Sequence, residues 1–430
     1  MLLKDISILN EDFEIKDHCY LGIKGRKIEY IGTKMPEDNF GEIFEGKDKL
    51  VMPAFYNAHA HTPMTILRGY GENMILQDWL FKKIFPFEAH LNEESVYYAA
   101  LLGIGEMFRG GCVAATDMYK HGESIAKAFI DSGAKVNLSI GTICLDDSSY
   151  YDIKDYAENE HLFAQYHQSQ NQRIKIDMSI HGEYTSSPKV VAEVADYAQK
   201  KGSRIQVHVS ETEAEHLECI ERHGKTPVGY FNDLGLFDMP TTAAHCVWIS
   251  SEDMEILAEK GVFVGHCPVS NLKLASGFAD IPTMLKKGVS VALGTDGAAS
   301  NNNLSMLEEL KIFALIHKGN QKNPLLITPQ EALFTATRSG ALSQGRDDCG
   351  LVKEGFCADL AVIDMNKPHL VPKEHILSHL VYSAQDSDVF MTICDGKIVY
   401  CDGKYPTMDM EKIMAEVNKR YNLIKEKVNQ

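Results

Sequence analysis

The sequence predicts an α/β protein: a (β/α)8 barrel of the TIM type with a small β-sandwich domain built from both chain termini. Eight strand-like segments are each followed by a segment that can form a helix, the pattern of βα units with a parallel sheet. These units span about 270 residues, which fits a closed barrel better than an open doubly wound sheet. No glycine-rich phosphate loop follows any strand, so a dinucleotide-binding sheet lacks its main signature.

The barrel strands are predicted from short apolar runs bounded by turn-forming residues. The eight candidates are 50–55, 112–117, 135–143, 174–181, 204–209, 241–245, 262–266 and 290–295.

Short alternating runs at both ends of the chain predict the second domain. Residues 6–9, 21–23 and 27–31 near the start match 359–364, 389–394 and 397–400 near the end, and the tail from about residue 409 has helical spacing. The predicted domains are therefore an N-terminal half of the β-sandwich (1–50), the metal-hydrolase barrel (51–350), and a C-terminal sandwich half with a terminal helix (351–430).

Composition narrows the function classes. The formal net charge of −17 argues against nucleic acid or an anionic membrane surface as partner, because both need clustered Lys and Arg. Ten cysteines without a short paired spacing fit free thiols in a reducing compartment. No cleavable leader or apolar span is recognisable. We expect a cytoplasmic protein acting on a small molecule, and the sequence leaves open whether it forms a homo-oligomer.

His59 and His61 follow the first strand candidate in Asn-Ala-His-Ala-His-Thr-Pro. Residues i and i+2 of an extended chain point to the same side, so the two imidazoles can share one metal ion. Two unrelated surface histidines are the alternative interpretation of this pair alone.

Three further residues lie at or near the ends of other strand candidates: His208, His245 and Asp296. The carboxyl ends of barrel strands converge on one face, where chemistry is done. Histidines and a carboxylate meeting there predict a divalent metal site with room for water. The fourth strand ends in Ile180-His181 without a lysine, so a single ion is expected. Zinc is favoured, with iron or manganese as alternatives.

The chemistry follows from such a site. A metal held by imidazoles and one carboxylate lowers the pKa of bound water towards about 7. Glu211, three residues past His208, can shuttle protons to a bound substrate, although a first-turn helix glutamate is the simpler alternative. Asp296 would both ligate the metal and accept the proton from water. His245 could be a ligand or could hold the water by a hydrogen bond, and the second role is favoured.

Five motifs in order resemble the amidohydrolase superfamily, and more closely its branch of 5′-methylthioadenosine/S-adenosylhomocysteine deaminases, with triazine chlorohydrolases as neighbours. The resemblance covers nearly the whole chain. The motifs are His59–Met64, His208–Thr212, Ala244–Cys246, His266–Leu274 and Gly294–Asn301.

The resemblance implies zinc ligands at His59, His61, His208 and Asp296. It also implies substrate contacts: Glu88 with ribose hydroxyls, Trp79 as an aromatic wall near the 5′ substituent, and His181 and Ser300 beside the nucleoside. Ordinary core packing for Trp79 and an exposed helix start for Glu88 are the competing interpretations.

Departures from the branch bear on the substrate. Members that accept a homocysteine group are expected to carry arginines on and after the third strand, but 138–150 contains none, and Asp146 and Asp147 would repel a carboxylate if they face the pocket. We therefore predict hydrolytic deamination of 5′-methylthioadenosine, 5′-deoxyadenosine or adenosine, with S-adenosylhomocysteine disfavoured. The alternatives are another aminated or halogenated heterocycle (guanine, a pterin, a triazine) and a metal-free, non-catalytic barrel.

Overall fold

The computed structural model describes residues 1–428. Its strands are β1 (Leu2–Leu9), β2 (Ile15–Lys24), β3 (Lys27–Gly32), β4 (Ile43–Glu45), β5 (Lys49–Pro53), β6 (Phe55–His61), β7 (Cys112–Met118), β8 (Lys135–Ser139), β9 (Ile174–Ile176), β10 (Met178–Ile180), β11 (Ile205–Val209), β12 (Thr241–His245), β13 (Phe263–His266), β14 (Ser290–Leu293), β15 (Asp296–Gly297), β16 (Leu360–Asp364), β17 (Val389–Cys394) and β18 (Lys397–Cys401).

The helices are α1 (Leu76–Trp79), α2 (Phe85–Glu88), α3 (Glu93–Arg109), α4 (Gly122–Ser132), α5 (Lys154–Tyr166), the left-handed turn α6 (Ser169–Gln172), α7 (Pro188–Lys201), α8 (Glu213–His223), α9 (Pro227–Asp233), α10 (Ser251–Glu259), α11 (Pro268–Lys273), α12 (Ile281–Lys286), α13 (Met306–Asn320), α14 (Pro329–Phe334), α15 (Gly340–Ser343), α16 (Ile376–Tyr382) and α17 (Met410–Val428). Short 3-10 or π turns lie at Thr62–Leu67, Leu80–Ile84, Tyr150–Asp152, Glu183–Thr185, Leu236–Asp238, Thr335–Ser339, Pro368–Leu370 and Asp386–Asp388. No helix among residues 1–428 has both the length and the apolar character to cross a membrane.

Parallel strands form the predicted (β/α)8 barrel. One run of neighbours is β15-β6-β7-β8-β9 and the other is β10-β11-β12-β13-β14. The chain passes from β9 to β10 through Asp177 alone, and from β14 to β15 through Gly294 and Thr295. Each run therefore continues into the other at both ends, and the eight strand positions form one ring.

The first predicted barrel strand, 50–55, was wrong. It joins most of β5 to the first residue of β6: β5 pairs with β16 in the terminal sheet, and β6 is the first barrel strand. His59 and His61 consequently lie on the strand rather than after it. The other seven barrel candidates coincide with β7 to β14, shorter at one or both ends in most cases. The proposed domain boundary at residue 50 falls inside β5.

Both termini build the second sheet, in the order β18-β17-β16-β5-β1-β2-β3, with β4 paired to β1. The sheet curls on itself, since Ile28 on the edge strand β3 donates its backbone N–H to the carbonyl of Phe356, which lies shortly before β16. Alternation along β5 separates two cores: Val51 faces the inside of this domain, while Leu50 and Met52 belong to the larger core shared with the barrel. The predicted sandwich is thus a folded sheet that encloses its own apolar layer.

A buried ion cluster joins the barrel to this sheet. Lys135 at the start of β8 is 1% exposed; it pairs with Asp359, and its Nζ lies 2.7 Å from Asp395 Oδ1. Tyr56 donates its hydroxyl to Asp359, and Arg26 Nε lies 3.0 Å from Asp395 Oδ2. Burial opposes the charge on Lys135, but the two carboxylates outweigh that penalty and raise its pKa.

The terminal helix α17 packs on α3 and reaches the region around α2. The Tyr421 ring stacks on Phe87, with 5.7 Å between centroids. Phe87 directly precedes Glu88, so the last helix of the chain supports the segment that carries one of the predicted substrate contacts.

The ion cluster gives a stability prediction. Lys135→Met leaves Asp359 buried without its cation, and we expect the free energy of unfolding to fall by about 3–5 kcal/mol, measured by urea unfolding. Lys127→Met is the matched control: Lys127 pairs with Glu123 on the surface with its side chain 55% exposed, so the free energy of unfolding should stay nearly unchanged. Equal stability of the two variants would contradict the role assigned to the cluster.

Candidate active site

Four of the predicted metal ligands meet at the carboxyl ends of the strands. His59 and His61 come from β6, His208 from β11 and Asp296 from β15. The ligand atoms of the three histidines lie within 4.8 Å of one another, as do those of His59, Asp296 and a further histidine, His245. All five side chains are largely buried.

Neighbouring carbonyls orient two of the imidazoles. Nδ1 of His61 faces the carbonyl oxygen of Met118, and Nδ1 of His208 faces that of His181. Because a carbonyl only accepts, each Nδ1 carries the proton and donates it. Both Nε2 atoms are then bare acceptors, and they face each other at 3.4 Å. A metal cation between them would satisfy both lone pairs.

The donor atoms fit a tetrahedral zinc ion. His61 Nε2 lies 3.3 Å from Asp296 Oδ1, and His59 Nε2 lies 3.5 Å from the same oxygen. Donors held tetrahedrally at about 2.0–2.1 Å from an ion are roughly 3.3–3.4 Å apart. His59 Nε2 is also buried without a hydrogen-bond partner, as expected of an atom reserved for a metal. Burial lowers the pKa of His59 to about 4, which keeps the ring neutral for ligation.

Asp296 divides its two oxygens between two tasks. While Oδ1 faces the histidines, Oδ2 accepts hydroxyl hydrogen bonds from Ser270 (2.6 Å) and Ser300 (2.7 Å). Burial alone would raise the pKa of Asp296, but His59 and His61 reverse this and hold the pKa well below its usual value. The carboxylate is therefore ionised and fixed in orientation.

Left-handed backbone aims these side chains inward. Asp296 (φ 61°), His245 (φ 69°), Ser210 (φ 47°) and Cys246 (φ 47°) all have positive φ, which is costly for residues other than glycine. Ser210 directly follows β11, His245 ends β12 and Cys246 follows it, and Asp296 begins β15. Backbone strain of this kind is found at functional sites, where the chemistry requires a conformation that the residue does not prefer by itself.

Glu211 and His245 lie beside the metal donors. His245 Nδ1 bonds Asn271 Oδ1 at 2.9 Å, and its Nε2 lies 3.8 Å from Glu211 Oε2. Glu215 holds the Glu211 backbone, because its two oxygens accept the N–H groups of Ser210 and Glu211. Burial raises the pKa of Glu211, which favours a carboxyl group able to carry a proton.

A cavity of about 460 Å³ opens onto this cluster. Glu211, His245, Asp296 and Ser300 line its floor. Its outer wall is apolar, formed by Leu76, Trp79, Leu80, Phe81, Phe85, Ile140 and Ile143.

Glu88 is buried in the cavity wall, not at an exposed helix start. Its Oε1 accepts the Tyr119 hydroxyl, and its Oε2 lies 3.0 Å from Lys120 Nζ. Both partners directly follow β7. The end of β7 thus supplies the carbonyl that orients His61 and the donors that hold Glu88.

The remaining predicted contacts also reach the cavity. Trp79 and His181 line it, and burial lowers the pKa of His181 to about 4. Ser300 lines it as well, but its hydroxyl is already hydrogen-bonded to Asp296. Asp146 and Asp147 are not among the described residues of the wall; Asp146 accepts the Ser148 N–H within its own loop. The repulsion expected from these two carboxylates is therefore not present.

Sequence reasoning missed several residues of the site: Tyr119, Lys120, Glu215, Ser270 and Asn271. Each acts on a predicted residue across a loop or a strand end. One signal was available, since Thr212 and Glu215 have the Ser/Thr-x-x-Glu spacing of a helix N-terminus, where the glutamate reaches back to backbone N–H groups ahead of the helix.

Comparison with known proteins identifies the family of the chain. Residues 50–399 match the sequence model of the amidohydrolase family. The chain is 41% identical over 432 residues to a protein of Dictyoglomus thermophilum named 5-methylthioadenosine/S-adenosylhomocysteine deaminase, covering 99% of each chain. It is 42% identical over 409 residues to a 5′-deoxyadenosine deaminase of Methanosarcina mazei, covering 95% of this chain and 94% of the relative.

A solved structure gives the same relationship in three dimensions. An adenosine deaminase from Xanthomonas campestris with bound zinc superimposes with a TM-score of 0.92 at 27% identity, covering 99% of this chain and 98% of the other.

The donor set predicts the metal content. We expect the purified protein to contain about one zinc per chain, and His208→Ala to lose most of it, because one of the facing imidazole donors is gone. Elemental analysis by mass spectrometry measures this. His161→Ala, which removes a half-exposed histidine on α5, should keep its zinc. Full zinc occupancy in His208→Ala would contradict the assigned ligand set.

Proposed function

The chain belongs to the amidohydrolase family, and we propose that it is a zinc-dependent hydrolytic deaminase of adenosine-type nucleosides. The products are ammonia and the corresponding inosine-type nucleoside. The observation that carries the proposal is that a metal-donor cluster and a buried carboxylate suited to sugar hydroxyls line one cavity of nucleoside size.

His59, His61, His208 and Asp296 would hold the zinc ion. Zinc bound there would polarise a water molecule and lower its pKa, which supplies the nucleophile at neutral pH. His245, held by Asn271, orients the attacking water by a hydrogen bond, and the ionised Asp296 accepts a proton from it. The two serine hydroxyls on Oδ2 keep Asp296 aligned for that task.

Glu211 performs the proton transfer on the substrate side. It protonates the ring nitrogen next to the attacked carbon. Asp296 then passes the proton that it took from water to the amino group, the C–N bond breaks and ammonia leaves. The remaining hydroxyl proton on the attacked carbon returns to Glu211, which leaves the carbonyl of the inosine-type product. The raised pKa of Glu211 suits a group that must hold and release a proton near neutral pH. The two carboxylates divide acid and base work by their surroundings, since Asp296 is held ionised and Glu211 is shifted the other way.

Contacts with the sugar orient the nucleoside in the cavity. Glu88 accepts the hydroxyl groups of the ribose, as an ionised carboxylate is acceptor-only and can take two O–H donors. A free base such as guanine, a pterin or a triazine has no sugar hydroxyls to donate to Glu88, so this contact would go unused, which counts against those substrates. A metal-free, non-catalytic barrel would have no reason to keep the metal donors beside Glu211.

The outer wall favours a neutral 5′ substituent. It is formed by apolar side chains, and Lys120, already paired with Glu88, is the one lysine or arginine among the described residues lining the cavity. The charged amino-acid group of S-adenosylhomocysteine would be desolvated there without a free partner. We therefore propose 5′-methylthioadenosine, 5′-deoxyadenosine or adenosine as substrates. Cytoplasmic location is proposed as well, supported by ten free thiols.

Ammonia release tests the reaction. We expect turnover of adenosine-type nucleosides, and Glu211→Gln should lower kcat by about 10²–10⁴-fold with zinc retained, because proton transfer is lost. Glu213→Gln, a change on the exposed first turn of α8, is the matched control and should leave kcat unchanged. Failure of the zinc-loaded protein to deaminate any aminated purine, pterin or pyrimidine would refute the proposal.

A comparison of nucleosides with different 5′ substituents tests the proposed substrate class. The kcat/KM for 5′-methylthioadenosine or 5′-deoxyadenosine should exceed that for S-adenosylhomocysteine at least about tenfold, because a desolvated, unpaired charge costs more than 1.4 kcal/mol. Steady-state rates followed by the absorbance change on deamination give the ratio. A preference for S-adenosylhomocysteine would show that the wall offers a charge partner after all.

A further inference from the structure

Lys120 places an ammonium group against the carboxylate that faces the cavity. Its Nζ lies 3.0 Å from Glu88 Oε2; the Lys120 side chain is 43% exposed, while that of Glu88 is 4% exposed. Tyr119 occupies the other oxygen, Oε1, with its hydroxyl. Both Lys120 and Tyr119 line the cavity. The hydroxyl of Tyr119 and the ammonium group of Lys120 therefore flank the Glu88 carboxylate, which is itself proposed to bind the hydroxyl groups of the substrate.

We propose that Lys120 is a specificity-determining residue that reads the vicinal diol of the ribose together with Glu88. This inference rests on the proposed function. A hydroxyl group is at once one donor and an acceptor with two lone pairs. Glu88 satisfies only the donors of a diol. Lys120 supplies the missing half, since an ammonium group has three N–H donors and Glu88 uses one of them.

The placement of Lys120 supports a selective role. Its stem starts at the residue after Tyr119, directly past the end of β7, and the same strand end orients His61 through the Met118 carbonyl. One short segment, the end of β7 and the two residues after it, thus carries Lys120 and also the carbonyl that orients the metal ligand His61. Binding of the sugar hydroxyls therefore fixes the distance between the sugar and the carbon that reacts at the metal site. A nucleoside that lacks one hydroxyl loses contacts with both Glu88 and Lys120.

A merely structural role makes a different prediction. If Lys120 only neutralised the buried Glu88, its removal would weaken all substrates alike, whatever their hydroxyl groups. If it reads the diol, the loss depends on the hydroxyls that are present. The comparison of a ribonucleoside with its 2′-deoxy and 3′-deoxy analogues separates the two roles.

The test uses Lys120→Met, which keeps the stem and removes the charge, in the zinc-loaded full-length protein. With adenosine, we expect kcat/KM to fall about 10–100-fold, mainly through KM, as for loss of a charge-assisted hydrogen bond. With 2′-deoxyadenosine or 3′-deoxyadenosine the fall should stay below about threefold. Lys120→Arg, which keeps donors at this place, should retain the preference for the diol. Lys127→Met, on the exposed face of α4, should behave as wild type.

An equal fall for all three nucleosides, or no fall, would overturn the inference while leaving deamination intact. If the wild-type protein turns over no nucleoside, the proposed function fails, and calorimetric binding of adenosine and 2′-deoxyadenosine then decides on Lys120. If Lys120→Met loses affinity for adenosine but not for 2′-deoxyadenosine, the result supports recognition of the diol by Lys120. Unchanged affinity in Lys120→Met refutes it.

Discussion

Closure of the ring between its first and last strands is the constraint on which the site depends. β15 pairs with β6, setting Asp296 opposite Ala60. Asn57 fastens the same joint, donating to Thr295 Oγ1 at 2.7 Å and accepting the Thr295 N–H at 3.0 Å. Gly294 permits the approach, because a Cβ there would lie 2.8 Å from the His59 backbone nitrogen. Without this contact the carboxylate and the paired histidines would not share one point in space.

Residues around the metal donors then orient the side chains that carry the chemistry, and they do so in the same way at several positions. The end of one strand orients a functional group on a neighbouring strand: Met118 at the end of β7 orients His61 on β6, and His181 directly after β10 orients His208 on β11. Side chains do the same for the others, as Asn271 does for His245 and Ser270 for Asp296. Backbone carbonyls need no particular residue, so these supports leave little trace in the sequence.

That difference explains what could be predicted. The ligands were predictable because their residue types are chemically restricted and because barrel strand ends converge whatever the loops do. The first strand was misplaced because 50–61 is buried almost throughout, and periodicity cannot divide a continuous apolar run between two sheets. Loop geometry was equally out of reach: the sequence left open whether Asp146 faces the cavity, and in the structure its carboxylate accepts the Ser148 N–H within its own loop. No sequence motif marks Lys120, which only the fold brings to Glu88.

The terminal sheet has a consequence for how the chain acquires its structure during synthesis. β5 lies between β1 and β16, and its β16 partner is made some three hundred residues later. The N-terminal strands therefore leave the ribosome with one edge unpaired and must wait for nearly the whole polypeptide. Domains usually fold in order of emergence, but this one can finish only after the barrel has been translated. Exposed strand edges during that interval favour mispairing and aggregation, so the yield of folded protein should depend on translation speed and on chaperones that shield the nascent chain.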